Sequence, residues 1–449
     1  MEESNKKVRD FRRSARAART KIANSGRSAS GGKAQAAGSR GTATKKAEQK
    51  KSVPQKQKNE RPAKGRAVKA AAATDELRII PLGGLNEIGK NITAFEYGDE
   101  IIIVDCGMSF PEDEMFGIDV VIPDFEYLEQ NSARIRGLLV THGHEDHIGA
   151  IPYLLKKIPM PIYATKLTIG LIESKLAEHG LRADMHAISA GQKLNVGVFG
   201  IEAIRMTHSI ADSLAFAINT PVGLIFHTGD FKIDYTPVDG EPMDFGKLAE
   251  IGSRGVLLML SDSTNAVRKG YTKSERHLDA VMDGIFRDAK SRIIVATFAS
   301  NVHRIQTIIN TAVKYGRKVT LSGRSMLRIL DIATEMGYIQ IPKNVLIDIN
   351  QIGKTPDSKL VIITTGSQGE PMSALTRMAL GDHRSVSIKH GDKIILSSSP
   401  IPGNEKTVSN VVNMLLERGA DVVYSDIADI HVSGHACSEE LKIMLSLIR

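Results

Sequence analysis

Residues 138–150, LLVTHGHEDHIGA, carry four side chains of metal-ligand type within six consecutive positions: His142, His144, Asp146 and His147. The apolar run at 137–140 before them predicts a buried strand that delivers the ligands from the loop at its carboxyl end. In an extended segment, side chains two positions apart face the same way, so the first two histidines can converge on one ion. Asp146 and His147 directly precede a helix predicted from Ile148, and they can face a second ion. The stretch therefore predicts two metal sites, with unrelated surface histidines as the alternative.

Two later residues extend this predicted metal centre. His208 ends a predicted strand, GIEAIRMTH, and Asp230 ends the second strand of a predicted hairpin, LAFAINTPVGLIFHTGD. Both could reach the first site, and the Asp230 carboxylate could bridge two ions. Either residue alone would more often be structural, but beside the first stretch both are predicted to be ligands. Imidazole and carboxylate donors suit Zn²⁺ best, with Mn²⁺ or Mg²⁺ as alternatives at the weaker position.

Length and composition set the general class of protein. A chain of 449 residues predicts two or more domains with large buried cores. The longest apolar runs are too short to cross a bilayer, so no transmembrane segment is expected. Cys106 and Cys437 are the only cysteines, too few for a disulfide framework, and this favours a reducing, cytoplasmic location.

The positive charge of the chain is concentrated near its start. Residues 1–74 contain 21 Lys and Arg against 5 Asp and Glu, a net charge of +16. Residues 75–449 contain 38 Lys and Arg against 46 Asp and Glu, a net charge of −8. The segment 1–74 has Phe11 as its only aromatic residue and is predicted to be disordered, because it cannot bury enough apolar area to fold. It would serve as an electrostatic arm for RNA or an acidic partner. The alternatives are a passive solubilising extension or an organelle transit peptide.

In the second half of the chain, strand-like runs alternate regularly with helical stretches. From about Glu275, the strand-like runs IIVATFAS, KVTLSG, NVLIDI, KLVIITTG, DKIILSSS and DVVYSD alternate with helical stretches such as 302–315 and 405–418. Strands that alternate with helices of this length predict βαβ units around a largely parallel sheet. We therefore predict a second domain here.

Residues 141–147 match the signature THxHxDH, and the chain closely resembles the metallo-β-lactamase superfamily. Further stretches narrow the resemblance to the ribonuclease J family of β-CASP nucleases: PLGGLNEIGKN, GMSFPEDEMFGID, LSDSTNA, ATFASNVHRIQ, TTGSQGEPMSAL and HVSGHACSEELK. The resemblance covers residues 77–449. It implies an α/β protein with the αβ/βα metallo-β-lactamase fold and an inserted β-CASP domain of βαβ units around a mostly parallel sheet. The implied divisions are a tail at 1–74, the metallo-β-lactamase domain at 75–274 and 431–449, and the β-CASP domain at 275–430.

The resemblance also implies a role for each candidate site residue. His142, His144 and His208 would bind one zinc, Asp146 and His147 the other, and Asp230 both, which gives two zinc ions per complete subunit. Asp262 and His435 would be catalytic, and a close Asp262 would favour a charged imidazolium at His435. For Asp262 the alternative is a capping or turn residue. The implied phosphate-holding loop consists of His431, Val432, Ser433, Gly434 and His435.

The activity that the resemblance implies is that of a zinc-dependent ribonuclease in RNA maturation and decay, including rRNA processing and mRNA turnover. It would act 5′ to 3′ on RNA with a 5′-monophosphate, and also endonucleolytically. The complete protein would be a dimer or tetramer, and no membrane partner is expected. The family's last ligand to the second zinc, a histidine in an HGE-type motif, has no counterpart before Arg449, so we expect a truncated chain with impaired activity. The alternatives are a glyoxalase-II-like hydrolase and a catalytically silent RNA-binding subunit.

Overall fold

The first sheet of the protein holds the strand that precedes the metal-ligand stretch. This computed structural model describes residues 76–111, 115–401, 403–425 and 427–449, and the tail predicted to be disordered lies outside them. Six strands form the sheet in chain order: β1 (Leu77–Gly83), β2 (Ile92–Tyr97), β3 (Glu100–Val104), β4 (Ile135–Leu139), β5 (Ile162–Ala164) and β6 (Met185–Ala187). The pairs from β1 to β3 are antiparallel, and those from β3 to β6 are parallel. Parallel strands are covered on both faces, which explains the unbroken apolar run of β3.

Four helices accompany this sheet: α1 (Glu126–Gln130), α2 (Glu145–Ile148), α3 (Ile151–Lys157) and α4 (Lys166–Glu178). The sequence predicted helix from Ile148, but α2 begins at Glu145. The reason is local, because His144 is extended and its carbonyl accepts the backbone N–H of His147, which closes the first turn. Asp146 and His147 therefore project from a helical turn and not from a loop.

The second sheet has five strands: β7 (Lys193–Val196), β8 (Phe199–Arg205), β9 (Leu214–Asn219), β10 (Leu224–His227) and β11 (Val256–Leu260). Its pairs are antiparallel except β10 with β11, which α5 (Phe245–Ser253) connects, and the predicted hairpin of β9 and β10 is confirmed. The predicted strand ends were wrong. The strands stop at Arg205 and His227, and beyond these ends Thr207 pairs with Lys232 in an isolated bridge. His208 and Asp230 thus lie on the two loops that this bridge ties together.

The two sheets pack face to face around a core that includes Phe95, Ile102, Phe199 and Phe216. Helix α5 and the last helix, α11 (Ser438–Ile448), cover the outer face of the second sheet. Helices α3 and α4 cover the first sheet. Two sheets between helical layers are the αβ/βα arrangement expected from the sequence.

A third sheet confirms the predicted βαβ region. Its strands, in the order β13–β14–β12–β15–β16, are all parallel: β12 (Ile293–Ala296), β13 (Lys318–Ser322), β14 (Leu360–Thr364), β15 (Lys393–Leu396) and β16 (Asp421–Val423). Its helices are α6 (His277–Asp288), α7 (Val302–Lys314), α8 (Arg324–Glu335), α9 (Ala374–Leu380) and α10 (Glu405–Glu417). The boundaries proposed at 275 and 431 stay predictions.

One predicted strand of this region is wrong. Residues 344–349, NVLIDI, make only an isolated bridge between Leu346 and Val319. Asn344 adopts a left-handed φ of 66°, and the Asp348 side chain accepts from Asn350 to begin a 3₁₀ helix, Ile349–Lys354. These local side-chain bonds compete with the ladder hydrogen bonds of an edge strand. In the part of the chain that the structure describes, no helix is long and apolar enough to span a membrane.

Candidate metal centre

The first donor cluster lies where β4, β8 and β10 end. His144 Nδ1 is 3.1 Å from the Nε2 atoms of both His142 and His208. The Asp230 carboxylate Oδ2 lies 3.8 Å from His142 Nε2 and 3.9 Å from His208 Nε2. One donor atom from each of the four residues lies within 4.8 Å of the others, which is the geometry of a set directed at one ion.

The second cluster shares its carboxylate with the first. His147 Nε2 is 3.2 Å from Asp230 Oδ2 and 3.5 Å from Asp146 Oδ2. Asp230 is therefore common to both clusters, as a bridging ligand would be. In the described part of the chain, three protein donors converge here against four in the first cluster.

Asp105 orients the second cluster, and the sequence reasoning missed it. It follows β3 with a φ of 61°, and its carboxylate accepts from the backbone N–H and the hydroxyl of Thr141, both at 2.8 Å. The same carboxylate lies 2.8 Å from His147 Nδ1. Because Nδ1 donates to Asp105, Nε2 keeps its lone pair for a metal. The available signal was one acidic residue at the end of an unbroken apolar strand, IIIVD.

Gly434 orients the first cluster in the same way. The Nδ1 of His208 donates to the Gly434 carbonyl oxygen at 2.7 Å, which leaves Nε2 facing the other donors. The loop at 431–435 thus contacts the first donor cluster through its backbone.

The electrostatics of the clusters fit a divalent cation. Burial, reinforced by neighbouring imidazoles, lowers the pKa of His142 and of His208 well below the ordinary value. Burial likewise lowers the pKa of His144 to about 4. Neutral imidazoles offer the lone pairs that a metal needs, and carboxylates beside them balance the charge of an ion. His142, His144 and His208 therefore suit a metal in chemistry as well as in distance. Burial opposes the charged imidazolium of His147, but the Asp230, Asp146 and Asp105 carboxylates raise its pKa well above the ordinary value, so a metal bound there would displace a proton.

Asp262 and His435 form a third group beside the clusters. Asp262 Oδ2 lies 2.9 Å from His435 Nδ1, and Asp230 Oδ2 lies 3.9 Å from it. Burial opposes the charged imidazolium, but the Asp230 charge and the bonded Asp262 raise the pKa of His435 to about 9. Burial also opposes the charge on Asp262, and the hydrogen bond from His435 lowers the pKa of that carboxyl. Asp262 Oδ1 in addition accepts from the Thr264 backbone, so it is a turn residue too.

The members of the predicted phosphate-holding loop face different neighbours. Ser433 Oγ accepts from Asn265 Nδ2 at 2.8 Å. Burial and the charge of Arg304 lower the pKa of His431 to about 3, and its Nδ1 lies 3.2 Å from that guanidinium. His431 is therefore neutral, and Val432 is buried beside it. Ser433 and His435 keep partly exposed side chains next to the metal clusters.

The fold and the paired donor clusters define the class of protein, a metallo-β-lactamase fold that carries a β-CASP domain. Residues 85–207 match the family model of the metallo-β-lactamase superfamily, and residues 290–415 match that of the ribonuclease J β-CASP domain. The second match also removes the support for a glyoxalase-II-like protein, which would lack that domain. The relatives below narrow the assignment further: the chain belongs to the ribonuclease J family.

Ribonuclease J of Helicobacter pylori is 50% identical over 376 residues, which are 83% of this chain and 55% of that protein. Ribonuclease J of Thermus thermophilus is 48% identical over 382 residues, 83% of this chain and 66% of that protein. Ribonuclease J 1 of Streptococcus pyogenes is 46% identical over 377 residues, 84% of this chain and 67% of that protein. The chain thus spans between about half and two thirds of the length of these relatives.

The fold also matches a solved structure. A crystal structure of a protein of unknown function from Enterococcus faecalis V583 superposes with a TM-score of 0.61 at 16% identity, over 83% of this chain and 92% of that one. At this identity the likeness concerns the fold alone.

Proposed function

We propose that this chain carries the catalytic centre of a metal-dependent ribonuclease that hydrolyses phosphodiester bonds of RNA. The observation that carries the proposal is the position of Asp230, whose Oδ2 is within 4 Å of donor nitrogens in both clusters. The name ribonuclease J, shared by relatives of up to 50% identity, supports RNA as the substrate.

Different residues of the site would have different roles in such a reaction. Two divalent ions, with Zn²⁺ as the best match to the donors and Mn²⁺ or Mg²⁺ as alternatives, would supply Lewis acidity and stabilise charge that develops on phosphorus. His142, His144 and His208 would hold one ion, Asp146 and His147 the other, and Asp230 both. His435, which Asp262 holds through Nδ1, keeps its other N–H free to donate to a phosphate oxygen or a leaving oxygen.

The finer activity is part of the same proposal and rests on the family resemblance of the sequence. We propose 5′ to 3′ digestion of RNA with a 5′-monophosphate, together with endonucleolytic cleavage, in RNA maturation and decay. Ser433 and the backbone of Gly434 would contact the phosphate, because they lie beside His208 and His435. Assembly into a dimer or tetramer and the cytoplasmic location remain predictions.

The test is the Asp230→Ala variant of the whole chain, assayed on a 5′-labelled RNA with Zn²⁺ or Mn²⁺ added. We expect cleavage to be lost while the thermal midpoint changes little, because the packed strands and not Asp230 hold the fold. Asp184→Ala is the control, since Asp184 is an exposed carboxylate paired with a surface histidine, His186. An Asp230→Ala chain that cleaves RNA at the parental rate would refute the assignment, and a parental chain that binds RNA without cleaving it would favour the silent subunit.

A further inference from the structure

Arg304 is an arginine with no exposed side-chain surface, although it lies on a helix whose sequence pattern is amphipathic. It belongs to α7, in the layer of the third sheet, and its side chain is 0% exposed. Its Nη2 donates to both carboxylate oxygens of Glu275, at 2.7 Å and 3.0 Å. A buried charge of this kind is tolerated only because it is paired and hydrogen-bonded. Its location therefore requires an explanation beyond packing.

The remaining bonds of Arg304 reach the loop that carries His435. Nη1 lies 3.2 Å from His431 Nδ1, and Nη2 donates to the Val432 carbonyl oxygen at 3.3 Å. Nη1 also donates at 2.6 Å to the carbonyl of Ser397, whose hydroxyl donates to the Ile430 carbonyl at 2.8 Å. Three consecutive loop residues, Ile430 to Val432, are thus held from the β-CASP side.

The other end of the same loop contacts the metal centre. Two residues beyond Val432, the Gly434 carbonyl accepts from the metal-ligand candidate His208, and His435 pairs with Asp262. Glu275 is connected to the same ligand by a second route. Its backbone N–H donates to Asp234, whose own N–H donates to the Thr207 hydroxyl beside His208.

We propose that Arg304, paired with Glu275, is a positioning residue that holds the 431–435 loop against His208 and so sets both metal affinity and the placement of His435. The part of this inference that concerns catalysis rests on the proposed function, whereas the part that concerns metal binding does not. The bonds of Arg304 go to Glu275, Ser397 and the loop residues His431 and Val432, so it acts on the metal donors through the loop. A guanidinium suits this task because its planar fork can bind a carboxylate and two carbonyls at once.

The same domain offers a matched control for a purely structural role. Arg292 and Asp392 form a second buried pair, with two bonds of 2.7 Å and 2.6 Å and side chains 4% and 2% exposed. This pair precedes β12 and β15, at the amino ends of the parallel strands, while Ser397 and the loop lie beyond their carboxyl ends. Loss of Arg292 should therefore cost stability without affecting the metal centre.

The experiment compares Arg304→Lys with Arg292→Lys in the whole chain. Lysine keeps the charge but cannot form the fork, so both variants should lower the thermal midpoint. Of these two variants, only Arg304→Lys should raise the Zn²⁺ dissociation constant, by about tenfold or more, as measured by competition with a chromogenic chelator. It should also lower kcat on a 5′-monophosphorylated RNA more than it changes KM, because His435 is displaced. Ser397→Ala, which removes a loop bond without exposing a buried charge, should shift Zn²⁺ affinity in the same direction.

Equal Zn²⁺ affinity in the parent, Arg304→Lys and Ser397→Ala would overturn the inference. Equal weakening by Arg292→Lys would overturn it as well, since the effect would then come from general destabilisation. If the parental chain does not cleave RNA, the proposed function fails, but the Zn²⁺ competition still decides whether Arg304 positions the loop.

Discussion

Replacing Gly434 by alanine should damage the metal centre through direct contact with His208. A Cβ built on Gly434 would lie 2.6 Å from His208 Cε1, 2.8 Å from His208 Nδ1 and 2.7 Å from Ser209 Oγ. Carbon atoms in van der Waals contact are about 3.5–4.0 Å apart, so the imidazole or the loop would have to retreat by about 1 Å. The hydrogen bond from His208 to the Gly434 carbonyl, at 2.7 Å, cannot keep its geometry after such a shift.

The size of the effect follows from these contacts. Loss of a hydrogen bond that orients a metal ligand typically lowers metal affinity by about 10- to 100-fold. That change corresponds to about 1.4–2.8 kcal/mol of binding free energy. Forcing an extra methyl group into packed surroundings costs the fold about 1–3 kcal/mol besides. Cleavage should fall at least as far as metal affinity when Zn²⁺ is limiting.

The assay is chelator competition for Zn²⁺, followed by RNA cleavage at limiting and at saturating Zn²⁺. Gly353→Ala is the control, because a Cβ on Gly353 meets nothing within 4 Å and its backbone is not left-handed. We expect the control to match the parent in both assays. A Gly434→Ala chain that binds Zn²⁺ and cleaves RNA like the parent would refute the view that the loop backbone supports His208.

Three further predictions concern Asp105, His435 and the basic tail. Asp105→Asn should weaken the second cluster by about 10- to 100-fold and the first by less, because Asp105 contacts His147 Nδ1 directly but reaches His142 only through the Thr141 hydroxyl; Zn²⁺ dissociation constants equal to those of the parent would contradict this. His435→Ala should keep the metal content but slow cleavage by about 10²-fold, and a parallel loss of metal would show that His435 is a ligand. Deletion of residues 1–74, with their net charge of +16, should flatten the dependence of RNA affinity on salt, whereas an unchanged slope would leave the tail as a passive extension.

The clustering of the candidate metal ligands could be predicted from the sequence because their signal is local. Four donors in six positions after an apolar run leave few other interpretations, and both His208 and Asp230 follow apolar strands. Local reasoning failed where side chains compete with the backbone. The run NVLIDI has the composition of a strand, yet the Asp348 side chain begins a 3₁₀ helix there. The precise ends of β8 and β10 were also beyond reach, because apolar residues continue past them into the loops that the Thr207–Lys232 bridge joins.

The residues that support the ligands were missed for a different reason. Asp105 lies 42 positions before His147, and Gly434 lies 226 positions after His208, so neither spacing carries a pattern. Arg304 occupies a helix where an arginine would ordinarily face water, and only the tertiary structure buries it against Glu275. A single sequence shows which residue types can bind a metal, but not which backbone carbonyl or carboxylate selects the tautomer of each imidazole.

The arrangement of these supports predicts that the candidate metal centre depends on the β-CASP domain. The first sheet orients His147 through Asp105, a contact made entirely within the metallo-β-lactamase layers. His208 instead depends on the Gly434 carbonyl, and the loop that presents this carbonyl is held by Arg304 of α7. Changes in the β-CASP domain near Arg304 should therefore reach the first cluster before the second. It follows that the two candidate metal sites, although they share Asp230, should respond to different degrees to substitutions near Arg304.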